Sequence, residues 1–534
     1  MSVGSIVSVA QMRQLEQAAI ANGVSEDDLQ RAAGLAVAQE CWMAMGTMEG
    51  RPVLVLVGSG NNGRDALIAA NHLYEYGASV FVYAATAGQV NDPIWNEIAA
   101  NDIPHAFAEN DQDFLELETL LERTAVVLDG LLGIGFDPKG RPIEGLYAEI
   151  LYRIKIASET IPPVRIFAVD VPSGLDADTG FADPHTVASE LTVTFGYAKV
   201  GHFVGDGRKF SGRTVEVDIG IPKEVIDSFE IPYQTLRLHE LRKALPDRPS
   251  DGHKGTFGRL LVISGSKTYP GAARLAVDSA VRTGVGSVVL AAPASIQNVV
   301  GVLPDISHLP LTDASGFLGS HAADELLEYL TNRPPSAVLL GPGLGLNDDT
   351  REFVQSFIGG LNKALPNGFK GLVIDADGLS ALAAAGDWST LNENHFILTP
   401  HIGEMATISG LEKDFIRENK LSVASQFAVD TRSTIVLKGA GTVIASHDGH
   451  ARLSEAATSA LAHAGTGDVL AGLVGGFLAQ GLTPLDAGSV AVYMHSEAGR
   501  QVSEVYGDAA TLASDLIRAL PDARKVLDVP ETRI

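Results

Sequence analysis

Short apolar runs, each followed closely by glycine, aspartate or proline and most separated by a helix-sized segment, set the main constraint on what this chain can fold into. In the first half they fall at 52–57, 79–83, 124–128, 165–169 and 191–195, after a helix-like stretch at 10–37. Strands that are apolar along their whole length are buried on both faces, as in a parallel sheet covered by helices. From Ile221 to Gly255 the rhythm lapses into prolines, charges and a Pro-Ser-Asp-Gly stretch, which reads as a connection between domains. It resumes at 259–263, 286–291, 337–340, 371–374, 395–398 and 434–437. A chain of 534 residues exceeds one ordinary core, so two α/β domains are expected, over 1–225 and 240–534, with the boundary near 225–245.

Composition narrows the partners. A formal charge of -26 gives no general reason to approach a nucleic-acid backbone or an anionic membrane. Cys41 is the single cysteine, so no intrachain disulfide or thiolate metal cluster can form, and a cytoplasmic location is expected. Met1 to Gln11 lacks the basic start and apolar run of a secretory signal. The apolar stretch between Asp468 and Asp486 carries several glycines and Pro484, and it reads as a buried helix with its connection.

In the first half, four features fall at predicted strand ends: Gly58-Ser59-Gly60-Asn61-Asn62-Gly63-Arg64-Asp65, Asp129-Gly130, Gly133-Ile134-Gly135 and Asp170-Val171-Pro172-Ser173-Gly174-Leu175-Asp176. Open parallel sheets bind ligands at that edge, and glycine turns leading into helices suit phosphates. The same glycines could serve tight chain reversal alone. Asn62, Asp129 and Ser173 offer oxygens suited to a hard cation, or else cap helices. Asp170 and Lys139 are candidate acid/base groups.

Together these motifs resemble the YjeF N-terminal family, the NAD(P)H-hydrate epimerases, over about the first 220 residues. The resemblance implies a Rossmann-like domain that interconverts the R and S epimers of hydrated NADH or NADPH with a bound K+. It assigns substrate contacts to Asn61, Asn62, Gly63, Arg64, Asp65, Gly133, Ile134, Gly135, Phe136, Asp137, Pro138, Lys139 and Asp170, with Asp170 catalytic. Asn62, Asp129 and Ser173 would bind K+. Ser59 and Arg64 stand where the family commonly has glycine.

In the second half, Gly465-Thr466-Gly467-Asp468 precedes an apolar helix and could cradle an oxyanion, with Asp468 placed either to take a hydroxyl proton or simply to cap the helix. Lys438-Gly439-Ala440-Gly441-Thr442 follows a predicted strand and could wrap a nucleotide phosphate. His253-Lys254-Gly255, Tyr269-Pro270-Gly271-Ala272, Gly341-Pro342-Gly343, Asp375-Ala376-Asp377 and Thr399-Pro400-His401-Ile402-Gly403-Glu404 accompany them. Asp375 and Asp377 read as structural, capping the next helix.

This ordered series resembles the NAD(P)H-hydrate dehydratases of the ribokinase-like superfamily, from about residue 240 nearly to the end. The resemblance implies that ADP phosphorylates the hydroxyl of S-NAD(P)HX and that phosphate then leaves, giving NAD(P)H, AMP and phosphate. Asp468 would be the base. Ala272, Gly343, His401 and Asp468 would face the substrate; Lys438, Gly439, Ala440, Gly441, Thr442 and Gly467 would face ADP, which Mg2+ would accompany. The segment Ala456 to Ala462 departs from the family's Thr-Gly-Asn type sequence. A homo-oligomeric bifunctional repair enzyme is expected; the alternative is a small-molecule kinase carrying a non-catalytic nucleotide-binding module.

Overall fold

A computed structural model describes residues 4–87, 93–301, 304–364, 368–385, 396–456 and 458–528, so His395 of the last-but-one predicted strand and Ala457 lie outside the described residues. The chain divides into two compact units, Met1–Ile231 and Pro232–Ile534.

In the first unit the strands are β1 (Ser5–Val7), β2 (Pro52–Val57), β3 (Ser79–Ala84), β4 (His105–Phe107), β5 (Val126–Gly130), β6 (Arg165–Val169), β7 (Leu191–Phe195), β8 (Ala198–Lys199) and β9 (Arg213–Val217). Seven of them form a sheet in the order β4-β3-β2-β5-β6-β7-β9. Every neighbouring pair is parallel. Strand alternation splits the core: Val53, Val55 and Val57 enter one apolar layer, Leu54 and Leu56 the other. The chain winds outward from β2 to β4 and then returns to β5 beside β2, which opens a ligand crevice at their carboxyl ends.

The helix expected at 10–37 is two helices, Val9–Ala21 and Glu26–Met45. Gly23 takes a left-handed turn (φ +97°), and Ser25 starts the second helix by accepting the Asp28 N–H through its side chain. Both signals are local, and the apolar periodicity running through them hid the break.

In the second unit the strands are β10 (Tyr233–Thr235), β11 (Arg259–Ile263), β12 (Ser287–Pro293), β13 (Ser307–Leu311), β14 (Asp313–Ala314), β15 (Phe317–Leu318), β16 (Ala337–Leu340), β17 (Gly371–Ile374), β18 (Phe396–Leu398), β19 (Thr434–Leu437), β20 (Val443–Ala445) and β21 (Ala451–Leu453). They run in the order β13-β12-β11-β16-β17-β18-β19-β20-β21-β10, apart from a small β14-β15 hairpin. Pairing is parallel from β13 to β19 and antiparallel through β20 and β21. The stretch 221–255 is not a bare connection, because it supplies β10 and the helices Lys223–Ser228 and Leu238–Ala244. The helix Thr466–Ala479 packs against β11, β16 and β17, buried along most of its length. Among the described residues no helix is long and apolar enough to cross a membrane.

Candidate active sites

In the first unit a cavity of about 420 Å³ opens at the β2/β5 crevice. Asn61, Asn62 and Asp65 line it from the helix Asn61–Glu75, Gly133, Ile134, Gly135 and Phe136 from the loop after β5, and Asp170 from the end of β6. The remaining predicted residues fall outside that lining. Gly63 serves close packing, since a Cβ there would stand 2.1 Å from the Gly58 carbonyl oxygen. Arg64 turns to Asp27 at 2.7 Å. Asp137 accepts the Lys139 N–H, Pro138 is buried between them, and the exposed Lys139 places its ammonium 5.1 Å from the centre of the Phe181 ring.

Beside the cavity, Asp129, Ser173 and Asn62 gather around the Leu131–Leu132 backbone. Asp129 is 3% exposed and accepts hydrogen bonds from Ser173 Oγ (2.6 Å), Ser173 N–H (2.9 Å) and Leu131 N–H (3.3 Å). Asn62 donates through Nδ2 to the Leu132 carbonyl at 2.9 Å. Burial pushes the Asp129 carboxyl above its usual range, against those donated bonds. Among the described residues Asp129 has no ion-pair partner, and no cluster of three or more His, Cys, Asp or Glu side chains could hold a metal. One buried carboxylate among amide, hydroxyl and carbonyl oxygens is the chemistry a hard cation of low charge requires, so the donor set fits K+.

Asp170 sits in the left-handed region at φ +61°, an unusual backbone for a non-glycine residue and one that clusters at functional sites. Its Oδ1 accepts from Lys199 Nζ (2.6 Å), Thr194 Oγ1 (2.9 Å) and Phe195 N–H (3.2 Å). Asp65, Glu16 and Glu26 bring three more carboxyls to the same cavity. Burial, then the neighbouring Asp170 and Glu16 charges, push Asp65 well above the carboxylate range, and its Oδ1 is buried without a hydrogen-bond partner. Burial raises Glu16 as well, with Lys199 opposing. Arg13, Glu16 and Lys199 went unseen in the sequence. Lys199 alone left a trace there, as a lone charge between Tyr197-Ala198 and Val200.

In the second unit a cavity of about 400 Å³ is lined by Lys438, Gly439, Ala440, Thr442 and Gly467 among the predicted nucleotide residues. Gly441 is absent from the lining; its carbonyl and that of Ala440 accept from the buried ammonium of Lys420 at 2.8 and 3.1 Å. The departing loop contributes Ala456, Thr458, Ser459, Leu461 and Ala462, and Thr458 and Ser459 both bond Asp508. Gly465 adopts φ +89° to start the helix Thr466–Ala479, and the buried ring of His495 donates from Nε2 to the Thr466 carbonyl at 2.9 Å. Burial takes His495 down to about 4, so its imidazole is neutral near pH 7.

Beside this cavity lies a charged cluster. Lys438 Nζ is 2.7 Å from Asp375 Oδ1 and 3.6 Å from Glu404 Oε2. Glu404 closes a capping box with His401, which is exposed at the start of the helix Ile402–Ser409. Asp375 is buried and also accepts from Thr399 Oγ1 at 2.7 Å. It is therefore the charge partner of Lys438 and no helix cap, whereas Asp377 does open the helix Asp377–Ala385 and accepts the Gly345 N–H. Burial against the Lys438 charge is outweighed by Asp375 and Glu404, which hold the ammonium above its usual range. Asp468 is pushed up to about 7, first by burial, then by Asp375, with Lys438 opposing. Ala272 and Gly343 are neighbours, since a Cβ on Gly343 would stand 2.7 Å from that of Ala272. They and His401 lie outside the cavity lining, as does Asp468.

Two helix-covered, largely parallel sheets, each with carboxylates and glycine turns at its ligand-binding edge, define a two-domain α/β enzyme, Rossmann-like and then ribokinase-like. Residues 26–201 match the family described as YjeF-related protein N-terminus, and residues 260–522 the one described as NAD(P)H-hydrate dehydratase. The bifunctional NAD(P)H-hydrate repair enzyme Nnr of Moorella thermoacetica is 33% identical over 528 residues, 97% of this chain and 96% of the relative. Its counterpart from Salinibacter ruber is 34% identical, over 93% and 92%. Among solved structures, the ADP/ATP-dependent NAD(P)H-hydrate dehydratase of Bacillus subtilis, co-crystallised with ATP/Mg2+, is 27% identical with a TM-score of 0.46, covering 55% of this chain and 98% of that one. The chain belongs to the family of bifunctional NAD(P)H-hydrate repair enzymes.

Proposed function

We propose that the first unit interconverts the R and S epimers of NAD(P)HX and that the second dehydrates the S epimer with ADP, giving NAD(P)H, AMP and phosphate. The observation that carries the reading is the Asp468 carboxyl, poised at about 7 beside Lys438 at a glycine turn. In its ionised form Asp468 takes the proton of the substrate hydroxyl as that oxygen attacks the terminal phosphoryl group of ADP, and the bond to AMP breaks. Phosphate then leaves with the bonding pair and the adjacent ring carbon gives up a proton, restoring the double bond. Ala272, Gly343 and His401 orient the substrate in this scheme, while Lys438 to Thr442 and Gly467 hold ADP.

Four carboxylates, Asp375, Asp377, Glu404 and Asp468, act in this cluster against the single ammonium of Lys438. That imbalance supports entry of ADP with Mg2+, which would screen the phosphate charge. In the first unit Asp170 is the proton-transfer group, with Asn61, Asn62, Asp65 and Gly133 to Phe136 around the substrate. Asn62, Asp129 and Ser173 would hold K+, which would supply positive charge beside the crevice.

The test is to give the protein purified S-NADHX with ADP, with ATP or with neither, and follow NADH absorbance. Return with ADP and none without nucleotide is expected; no nucleotide-dependent return contradicts the dehydratase reading. A homo-oligomer in the cytoplasm is also proposed, and light scattering and cell fractionation measure the two points.

A further inference from the structure

Resting on the epimerase reading of the first unit, we infer that Lys199 is a positioning residue for that reaction: it saturates one oxygen of Asp170 so that the other is the one offered to substrate. Lys199 follows β7 and is fully buried. A lysine is rarely buried without partners that repay its desolvation. Its ammonium has three: Asp170 Oδ1 at 2.6 Å, Thr194 Oγ1 at 3.0 Å and the Phe195 carbonyl at 3.1 Å.

The same Asp170 oxygen also receives the Thr194 hydroxyl and the Phe195 N–H, so all three donors meet on Oδ1. Oδ2 has no hydrogen-bond partner among the described residues, and Asp170 lines the cavity. The left-handed backbone at Asp170 and its N–H bond to the Val193 carbonyl at 2.8 Å bring the residue back towards β7, where those donors wait. A carboxylate pinned on one side presents a single oxygen in a fixed direction, which is what proton transfer at a carbon centre requires.

Among the cations near this corner, Lys199 is the one bonded to Asp170. Glu16 from the helix Val9–Ala21 and Asp65 from the helix Asn61–Glu75 share the cavity with Asp170. His202 sits next to Lys199, its Nδ1 accepting the Lys199 backbone N–H at 3.3 Å, and burial takes it down to about 4, so it adds no charge near pH 7. Glu26, Arg13 and Arg141 line the cavity as well, but the fully buried ammonium that lies on Asp170 is that of Lys199.

The experiment measures epimerisation of purified R-NADHX by the full chain carrying Lys199→Met, with dehydration of purified S-NADHX as the internal control. The expected result is a fall in kcat for epimerisation of about 100-fold, the size of a misplaced acid/base group, with KM and dehydration unchanged. If Lys199→Met is insoluble, Thr194→Val replaces it: removing one donor to the same oxygen lowers kcat about 10-fold at unchanged KM. Wild-type kcat in whichever variant is assayed, or a rise in KM alone, overturns the inference. A wild-type chain that does not epimerise R-NADHX overturns the epimerase reading itself, and the inference with it.

Discussion

Both units set an aspartate against a lysine, fully buried in the first and partly buried in the second, yet they use the lysine differently. In the first, Lys199 lies directly on Asp170 at 2.6 Å. In the second, Asp375 takes Lys438 at 2.7 Å and Glu404 flanks it, while Asp468, raised first by burial and then by Asp375, reaches about 7. The same two residue types thus give an anchored carboxylate in one site and a proton-accepting group tuned to neutral pH in the other. Burial raises Asp468 first, and Asp375, which holds the ammonium, raises it further.

The largest expected effect is that of Asp468→Asn, which lowers S-NADHX dehydration about 1,000-fold while epimerisation stays intact. Equal loss of both activities breaks the separation of the two sites. Asp170→Asn mirrors it, with epimerisation of the R epimer down by about 100-fold or more and dehydration of the purified S epimer untouched. The pH dependence sharpens the contrast. Asp468 works as a base only when ionised, so dehydratase kcat/KM rises as pH increases through about 7 and falls below it. Asp375→Asn removes a charge that raises Asp468, so this acid limb moves to lower pH by roughly one unit or less, even as looser hold on Lys438 slows turnover. A limb that moves upward contradicts the assigned roles. The smallest effect is that of Arg64→Ala, whose partner Asp27 is nearly half exposed; epimerase KM changes by less than about 2-fold.

Much of this was legible in the sequence because glycine turns and strand ends are local signals. Asp129 and Asp170 stand at the carboxyl ends of β5 and β6, Asn62 opens the helix after β2, and the crevice opens where those runs end. Partnership was not legible. Lys199 and Asp170 stand 29 positions apart and Lys438 and Asp375 stand 63, and only the parallel strand order brings each pair together. Asp375 read as a helix cap because an Asp before a helix commonly is one, and nothing nearby in sequence announces the lysine two strands away. The three-residue strands β20 and β21 were missed because so short a run carries no period. Gly63, Arg64 and the Asp137 to Lys139 turn sit inside matching motifs but point elsewhere: a motif fixes the backbone, and the surrounding packing decides which side chains reach the cavity.

One chain that completes repair of both epimers must turn purified R-NADHX into NADH when ADP is supplied. The S-specific dehydratase cannot use that substrate until the first unit has epimerised it. The prediction is full return of NADH absorbance, faster than spontaneous epimerisation allows and limited to the spontaneous rate in Asp170→Asn. Return at the spontaneous rate in the wild-type chain, or none at all, contradicts it.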